Sequence, residues 1–181
     1  MAKRIFVGLL VTLFMSAVAA QAQAPAGPPK PGAEQKRLGV FIGKWNGSGE
    51  MKPGPWGPGG KTTWTETCEW FAGGFSVVCH SDSKGPMGDS KGLFILGYNT
   101  EEKKYVYFGI ESTMGNPETS KGTVQGNTWN WAGEGKMGGK MVASKFTIIE
   151  QSADTHTFKA EGSVDGGPWS VTMEGKATRV K

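Results

Sequence analysis

Short segments rich in β-branched and aromatic residues recur from residue 44 onward, and apolar and polar positions alternate in several of them. A period of two is typical of β-strands that have one buried face. Glycine and asparagine turns separate the segments at short, regular intervals. Strands are predicted over residues 44–51, 61–71, 75–84, 91–99, 103–112, 118–125, 127–134, 140–150, 155–164 and 168–179. Residues 33–38 are predicted to form one or two helical turns that lead into the first strand.

Short strands joined by tight turns predict a single all-β domain, an antiparallel up-and-down β-barrel of about ten strands with a short N-terminal helix. Closing so many strands removes the exposed edges that otherwise promote aggregation. An open β-sandwich is the alternative. The 29 glycines are interpreted as turns and bends, since no Gly-rich segment has the strand–loop–helix context of a phosphate loop.

The two cysteines are predicted to face each other across one hairpin. If the chain turns at Gly73-Gly74, paired residues have numbers that sum to 147, and Cys68 and Cys79 meet this condition. Two directly opposed cysteines in an exported protein should form a disulfide. Two reduced thiols in the core are the alternative.

The predicted disulfide also identifies the inner face of the barrel, because successive side chains of a strand point to opposite faces. The residues that share the cysteines' face are Trp64, Trp70, Phe75 and Val77. Glu66 is the one carboxylate on this face, opposite Ser81.

The first 22 residues are interpreted as a secretory signal peptide, because Lys3 and Arg4 precede an apolar run over residues 5–18 and small residues follow. The run is shorter than the roughly 20 residues that span a bilayer, which disfavours the alternative of a membrane anchor. Residues 23–32 are predicted to form a Pro-rich linker without a packed conformation. The barrel domain then spans residues 33–181, and the protein is expected in the periplasm or outside the cell.

The net charge gives no reason to expect nucleic acid or a membrane surface as a partner. The formal charge of +4 falls to +2 if Lys3 and Arg4 leave with the signal peptide, which holds no acidic residue. This bias is too weak to drive binding to a polyanion.

Gly43-x-Trp45 near the start of the barrel and Arg179 near its end resemble a signature of calycin-like barrels. In those proteins Gly-x-Trp opens the first strand, the indole closes one end of the barrel, and a basic side chain of the last strand lies across it. The resemblance implies structural roles for Gly43, Trp45 and Arg179, and it implies that any ligand site lies nearer the other end.

Further segments resemble the exported bacterial domain-of-unknown-function family 1579, over residues 35–181. The segments that carry this resemblance are 41–45, 92–99, 103–106, 112–115, 120–122 and 154–158. The family implies a calycin- or lipocalin-like β-barrel and supplies no catalytic or binding residue. An acidic residue is expected after Gly97-Tyr98, where this chain has Asn99, and either residue suits the turn that follows.

Five residues are candidates for ligand binding: Trp56, Trp64, Glu66, Trp70 and His156. Glu66 could bind a polar group of a ligand or act as a general base with a raised pKa. Alternatively, it hydrogen-bonds Ser81 or a basic side chain, or reaches water at the barrel mouth. Trp56 lies in the Gly/Pro-rich loop 53–60, where it either closes over a ligand or anchors the loop to the rim.

No metal or cofactor is expected. His156 is predicted to point inward near one end and His80 to face solvent, but one histidine without a distinctive partner does not define a haem site. The sequence also contains no zinc-ligand spacing. Methionines beside glycines, such as Met87 and Met137, are interpreted as packing over the barrel ends rather than as Cu(I) ligands.

The leading hypothesis is a non-enzymatic, exported β-barrel that binds a small, mostly apolar molecule in its interior. One alternative is an isomerase or lyase that uses the interior carboxylate of Glu66. Another is a structural or interaction protein of the cell envelope. Segments 93–98 and 105–110 are apolar on both faces, so their outer surface is expected to be covered, by a second subunit of a homodimer or by the N-terminal helix.

Overall fold

The computed structural model of the protein describes residues 28–55 and 57–181. The predicted signal peptide, residues 23–27 of the predicted linker, and Trp56 lie outside the described residues. Within the described ranges, no helix has the length and apolar character needed to cross a membrane.

Ten antiparallel strands form one closed β-barrel, in which each strand pairs with its neighbours in the chain and the first pairs with the last. The strands are β1 (Gly43–Met51), β2 (Gly60–Trp70), β3 (Val77–Gly85), β4 (Gly88–Asn99), β5 (Lys104–Glu111), β6 (Glu118–Gln125), β7 (Thr128–Met137), β8 (Lys140–Ser152), β9 (Thr155–Val164) and β10 (Ser170–Arg179). The predicted up-and-down barrel is confirmed. The open sandwich is wrong, because β1 and β10 pair from Trp45 to Met51.

The largest differences from the predicted strand bounds are at two hairpin tips. β4 begins earlier than predicted because Gly85 pairs with Gly88 around a two-residue turn. β7 continues to Met137 because Gly138 and Gly139, with φ of 56° and 83°, make the turn into β8. Positive φ at both central residues is what a type I′ hairpin turn requires.

The β2–β3 hairpin has the predicted register. The Phe71 N–H donates to the Ser76 carbonyl at 2.9 Å, which closes a four-residue turn. Cys68 pairs directly with Cys79, and the two form a disulfide with Cα atoms 4.0 Å apart. The expectation that Phe75 shares the buried face is wrong, because Phe75 lies within the turn and is exposed.

The hydrophobic core lies at one end of the barrel, which we call the closed end. A short helix, α1 (Ala33–Arg37), and a 3₁₀ turn (Leu38–Phe41) cover this end. Leu38 and Phe41 are buried in a cluster that includes Val77 and Trp129. The predicted N-terminal helix therefore closes one end of the barrel.

The outer face of β4 and β5 carries apolar side chains that remain exposed. Ile95 and Phe108 are cross-strand partners, and Ile110 lies beside them. The alternative that the N-terminal helix covers this surface is wrong, because α1 and the 3₁₀ turn lie at the closed end.

Candidate functional site

Contacts between β1 and β10 seal the closed end. Trp45 and Arg179 are cross-strand partners, and Cζ of Arg179 is 4.2 Å from the centroid of the Trp45 ring. The Trp45 Nε1–H donates a 2.8 Å hydrogen bond to the Phe41 carbonyl. The Arg179 guanidinium also donates hydrogen bonds to the carbonyls of Val40 and Ile42. A cation–π contact and backbone hydrogen bonds thus join the barrel seam to the 3₁₀ turn.

Gly43 completes this seal. It begins β1 with φ of 116°, and a Cβ at this position would lie 2.7 Å from Nη1 of Arg179. Glycine is therefore required both by the backbone conformation and by the space available. The structure brings together Gly43, Trp45 and Arg179, the three residues for which a structural role was expected.

His156 is packed beneath the seal. It is 7% exposed, and its ring centroid lies 4.0 Å from that of Trp45 and 6.0 Å from that of Phe41. Its Nδ1 has no hydrogen-bond partner among the described residues. Burial lowers the pKa of His156 to about 4; the charge of Glu150 acts in the opposite direction and that of Arg179 in the same direction. The imidazole is therefore neutral at neutral pH.

Six aromatic side chains line the middle of the barrel interior, and we call them the aromatic wall. They are Trp64, Phe94, Tyr107, Trp131, Phe146 and Phe158. Some of these rings cover glycines of a neighbouring strand: a Cβ on Gly47 would overlap the Trp64 indole, and a Cβ on Gly122 would overlap the Trp131 indole. Interior glycines thus let large rings lie against the barrel backbone rather than fill its centre.

The rings of the aromatic wall also contact one another. Phe94 stacks on Tyr107 at 5.7 Å between centroids, and Phe146 stacks on Phe158 at 5.3 Å. Trp64 meets Phe158 edge to face at 5.5 Å. These geometries are those that aromatic pairs prefer, so they hold the rings in defined positions.

The aromatic wall is accessible from the open end of the barrel. Phe146 points inward, since it is the cross-strand partner of Trp131, and yet it is 36% exposed. Trp129, at the closed end, is 0% exposed. Several inner positions nearer the open end carry small side chains: Ser83, Ser90, Ser120, Gly133, Ser144 and Gly162. We call the barrel interior between the aromatic wall and the open end the lumen, and Phe146 is the ring of the wall most exposed to it.

Three carboxyl groups face this lumen. Glu66 belongs to β2, and the cross-strand register puts Glu111 of β5 and Glu118 of β6 on the same inner face as Tyr107. Partial burial raises the pKa of Glu111 and of Glu118, although part of Glu118 remains exposed, and the charge of Glu118 raises the pKa of Glu111 further. Burial, with these nearby carboxylates, also raises the pKa of the Tyr107 phenol, which is therefore neutral.

Glu66 lies opposite Ser81 and beside the disulfide. Burial raises the pKa of Glu66 to about 7. Its Oε1 is 3.4 Å from Sγ of Cys68, but a disulfide sulfur has no proton to donate. Within the described part of the chain no group donates a hydrogen bond to Glu66 and no basic side chain pairs with it. The expected bond to Ser81 does not form, so the carboxyl is desolvated without a compensating partner.

The carboxyl of Glu66 and the two sulfur atoms of Cys68 and Cys79 lie within 4.8 Å of one another. Metal-binding cysteines coordinate as thiolates. Because these sulfurs are joined in a disulfide, this cluster does not offer a thiolate site.

The structure separates the predicted ligand-binding residues into two groups. Trp64 and Glu66 face the lumen. Trp70 lies at the rim of the closed end, 3.4 Å from the position that a Cβ on Gly39 would occupy, and it packs against the 3₁₀ turn. His156 is enclosed by Trp45 at the same end.

The loop that carries Trp56 lies beside the open end, although Trp56 itself is outside the described residues. Gly54 and Gly57 exchange backbone hydrogen bonds of 3.0 and 3.1 Å across the loop. A Cβ on Gly57 would lie 2.9 Å from Sδ of Met87. A concavity of about 260 Å³ separates Pro55 from the start of β10. The loop is thus next to the mouth, where a ligand lid was expected.

Positive charge lies on the outside of the barrel. The strand lysines face outward by register, except Lys140 at the tip of the β7–β8 hairpin. Lys104, Lys121 and Lys145 surround an outer concavity of about 470 Å³. This hollow is larger in volume than the one beside Pro55, and polar side chains such as Thr123, Asn130 and Thr147 contribute to its lining.

Glu111, Glu118 and Tyr107 were not among the predicted site residues. A signal for two of them was present, because alternation through 105–111 places Glu111 on the face of Tyr105 and Tyr107. β6 gave no such signal, since polar residues occupy both of its faces.

Two solved structures share this fold. The crystal structure of Rv2717c from M. tuberculosis aligns with a TM-score of 0.58 and 11% sequence identity, covering 84% of this chain and 100% of that chain. The structure of the S-type phycobiliprotein lyase CPES from Guillardia theta aligns with a TM-score of 0.58 and 10% identity, covering 82% of this chain and 93% of that chain. At these identities the likeness concerns the fold alone.

No curated protein matches the sequence. One family profile, described as protein of unknown function (DUF1579), matches residues 30–179. This span contains α1, the 3₁₀ turn and all ten strands. The chain therefore belongs to the DUF1579 family, as its sequence resemblance implied.

Proposed function

We propose that the protein binds a small, mostly apolar molecule in the barrel lumen, entered from the open end. The observation that carries this proposal is that the inward-facing ring of Phe146 is 36% exposed within the barrel. Burying apolar surface contributes about 25 cal/mol per Å², so a ligand that covers these rings gains binding energy from the wall alone.

The arrangement of the lumen supports this function in two ways. Rings such as Trp64 and Trp131 lie over glycines, which leaves the centre of the barrel free of their bulk. The contacts between rings hold the wall in place before any ligand arrives, so binding requires little ordering of side chains. The likeness to the phycobiliprotein lyase concerns the fold and contributes no residue to the proposal.

Native mass spectrometry of protein purified under mild conditions tests the proposal directly. We expect a mass above that of the mature chain, and organic extraction should release the bound molecule.

A sharper test places an additional large side chain in the lumen. Ser144→Trp adds an indole to the inner face of β8, whereas Thr147→Trp adds the same group to its outer face. We expect the first variant to lose the bound species and the second to keep it.

An isomerase or lyase is the second candidate, and the raised pKa of Glu66 favours it. A carboxyl with a pKa of about 7 is matched to general acid or base work near neutral pH. Glu66→Gln should then retain the molecule that the wild-type protein carries but fail to convert it during prolonged incubation. Equal conversion by both proteins would exclude Glu66 as the acid or base.

An interaction surface is the third candidate, favoured by the exposed side chains of Ile95, Phe108 and Ile110 on the outer face of β4 and β5. If a second copy covers them, the protein is a homodimer in solution and Phe108→Lys converts it to a monomer. Light scattering coupled to gel filtration distinguishes the two states. A wild-type monomer would rule out this use of the surface.

We also propose that the protein is exported to the periplasm or beyond the cell. The Cys68–Cys79 disulfide supports this location, because such bonds persist in oxidising compartments. The mass of the protein recovered from a periplasmic fraction should correspond to a chain that starts near residue 23.

A further inference from the structure

We propose that the molecule held in the lumen is an organic cation, an amine or quaternary ammonium compound with an apolar body. This inference rests on the proposed function and adds the charge of the ligand. It follows from the carboxyl groups that face the lumen, from the outward direction or other pairing of the basic side chains, and from the aromatic rings beside the carboxyls.

The carboxyls of the lumen have no cation to neutralise them among the described residues. Glu66, Glu111 and Glu118 face inward from β2, β5 and β6, and none of them forms an ion pair there. Within residues 28–55 and 57–181, the Glu111 carboxylate accepts a hydrogen bond only from the Ser90 hydroxyl, at 3.5 Å. The lumen therefore has a negative potential that a bound cation would relieve.

Glu66 points to a ligand independently of the other two carboxyls. It faces the lumen from β2, burial raises its pKa, and no group in the described ranges donates a hydrogen bond to it. A buried acceptor without a donor costs free energy in the unliganded barrel. An ammonium N–H supplies the missing donor and forms a charge-assisted hydrogen bond, which is stronger than a neutral one.

Basic side chains that could receive an anionic ligand are occupied elsewhere. Arg179 donates to backbone carbonyls at the closed end and stacks on Trp45. Arg37 is ion-paired with Glu150 at the same end. The strand lysines face outward, and Lys140 lies beyond the rim at a hairpin tip. A fatty acid in this lumen would place its carboxylate near Glu66 or Glu118 without a counter-charge.

The aromatic wall suits a cation as well as an apolar body. The stacked rings of Phe94 on β4 and Tyr107 on β5 lie beside the carboxyls. Trp64 is on the same strand, β2, as Glu66. Aromatic faces attract ammonium groups, tryptophan most strongly, and the attraction increases where water is excluded. A primary or quaternary ammonium ligand would thus meet carboxylates and ring faces together.

Three probes with the same alkyl chain test the inference: octylamine, octanol and octanoate. Binding is followed by isothermal titration and by quenching of tryptophan fluorescence. We expect octylamine to bind at least about tenfold more tightly than octanol, and octanoate to bind most weakly. In the triple variant Glu66→Gln/Glu111→Gln/Glu118→Gln the advantage of octylamine should disappear while octanol binding is unchanged. Glu134→Gln, on the outer face of β7, serves as the matched control and should leave all three affinities unchanged.

The outcomes separate this inference from the proposed function. If octanol or octanoate binds as tightly as octylamine, the inference that the ligand is a cation is wrong. The proposal that the lumen binds an apolar molecule would still stand. An octylamine preference that survives in the triple variant would also overturn the inference of a cation, since the carboxyls would not be its cause. Binding of none of the three probes would overturn both proposals.

Discussion

The Trp64 indole covers Gly47, its cross-strand partner on β1, so closely that a Cβ on Gly47 would overlap the ring. Gly47→Ala forces the indole off the barrel wall and into the lumen. We expect a loss of about 1–3 kcal/mol in the free energy of unfolding, the usual cost of overpacking, measured by urea denaturation.

Gly135→Ala is the control for this substitution. Gly135 faces the lumen on β7, and a Cβ there would meet no atom within 4 Å. It should leave stability unchanged or raise it slightly, because alanine restricts the unfolded chain. Equal stability of the two variants would show that the indole does not depend on Gly47.

Arg179→Lys should weaken the seal at the closed end. Lysine keeps the charge but cannot donate to the carbonyls of Val40 and Ile42 at once while its cation lies over Trp45. We expect a loss of about 1–3 kcal/mol in the free energy of unfolding. Lys176→Arg, on the outer face of the same strand, should change stability by no more than a few tenths of a kcal/mol. A loss of the same size in both variants would argue against a seal specific to Arg179.

His156 should make the protein less stable as the pH falls from 6.5 to 4. The folded pKa is about 4 and the ordinary value is 6.5, so between these values the unfolded chain binds a proton that the folded protein excludes. The full stabilisation is present above pH 6.5 and amounts to about 3 kcal/mol at most. His156→Phe should lose this rise in stability with pH.

His80→Phe is the control for the pH dependence, because His80 is exposed on the outer face of β3. Urea denaturation of both variants and of the wild type between pH 4 and 8 makes the comparison. If His156→Phe follows the wild-type pH profile, His156 does not titrate as its burial implies.

Glu66 should make the protein less stable as the pH rises, the opposite of the effect of His156. Its folded pKa is about 7 against an ordinary 4.5, so its contribution is fully present below pH 4.5 and is lost as the pH rises to about 7. Glu66→Gln removes the cost of an ionised buried carboxyl, and at pH 8 it should exceed the wild type by about 1–3 kcal/mol. Glu69→Gln, exposed on the same strand, should match the wild type at every pH. A Glu66→Gln protein less stable than wild type at pH 8 contradicts the prediction.

Reduction of the Cys68–Cys79 disulfide should cost about 2–3 kcal/mol in the free energy of unfolding. The bond closes a short loop, so its effect on the unfolded chain is modest. Urea denaturation with and without reductant measures the difference. The Cys68→Ala/Cys79→Ala variant should unfold alike in both conditions, and a shift caused by reductant in that variant would show that the reagent acts elsewhere.

The sequence predicted strand order, one hairpin register and the inward direction of Glu66, because each depends on alternation and on turn residues. The sequence did not predict how far along the barrel axis each inward side chain lies. Trp70 and Trp64 share one face of β2, yet only Trp64 faces the lumen, because Trp70 is at the closed rim. Depth depends on the stagger of all ten strands and on which end α1 covers, and these are properties of the closed barrel.

The grouping of Glu66 with Glu111 and Glu118 was beyond the sequence for a related reason. Strands β2, β5 and β6 are far apart in the chain, and only closure of the sheet turns their inner faces toward one lumen. The orphaned Nδ1 of His156 and the rings that cover glycines likewise depend on contacts between strands that no local pattern specifies.

The β1–β10 seam determines when the molecule can finish folding. β1 lies between β2, which follows it directly, and β10, which ends at Arg179. Strands can pair one after another as the chain emerges, but the lumen has no complete wall until the last strand arrives. Contacts between residues so distant in the chain form slowly, since the entropy of closing the whole loop must be overcome first. A ligand therefore meets a finished site only after β10 has paired with β1, and a chain truncated before Ser170 would present an open sheet with two unpaired edges.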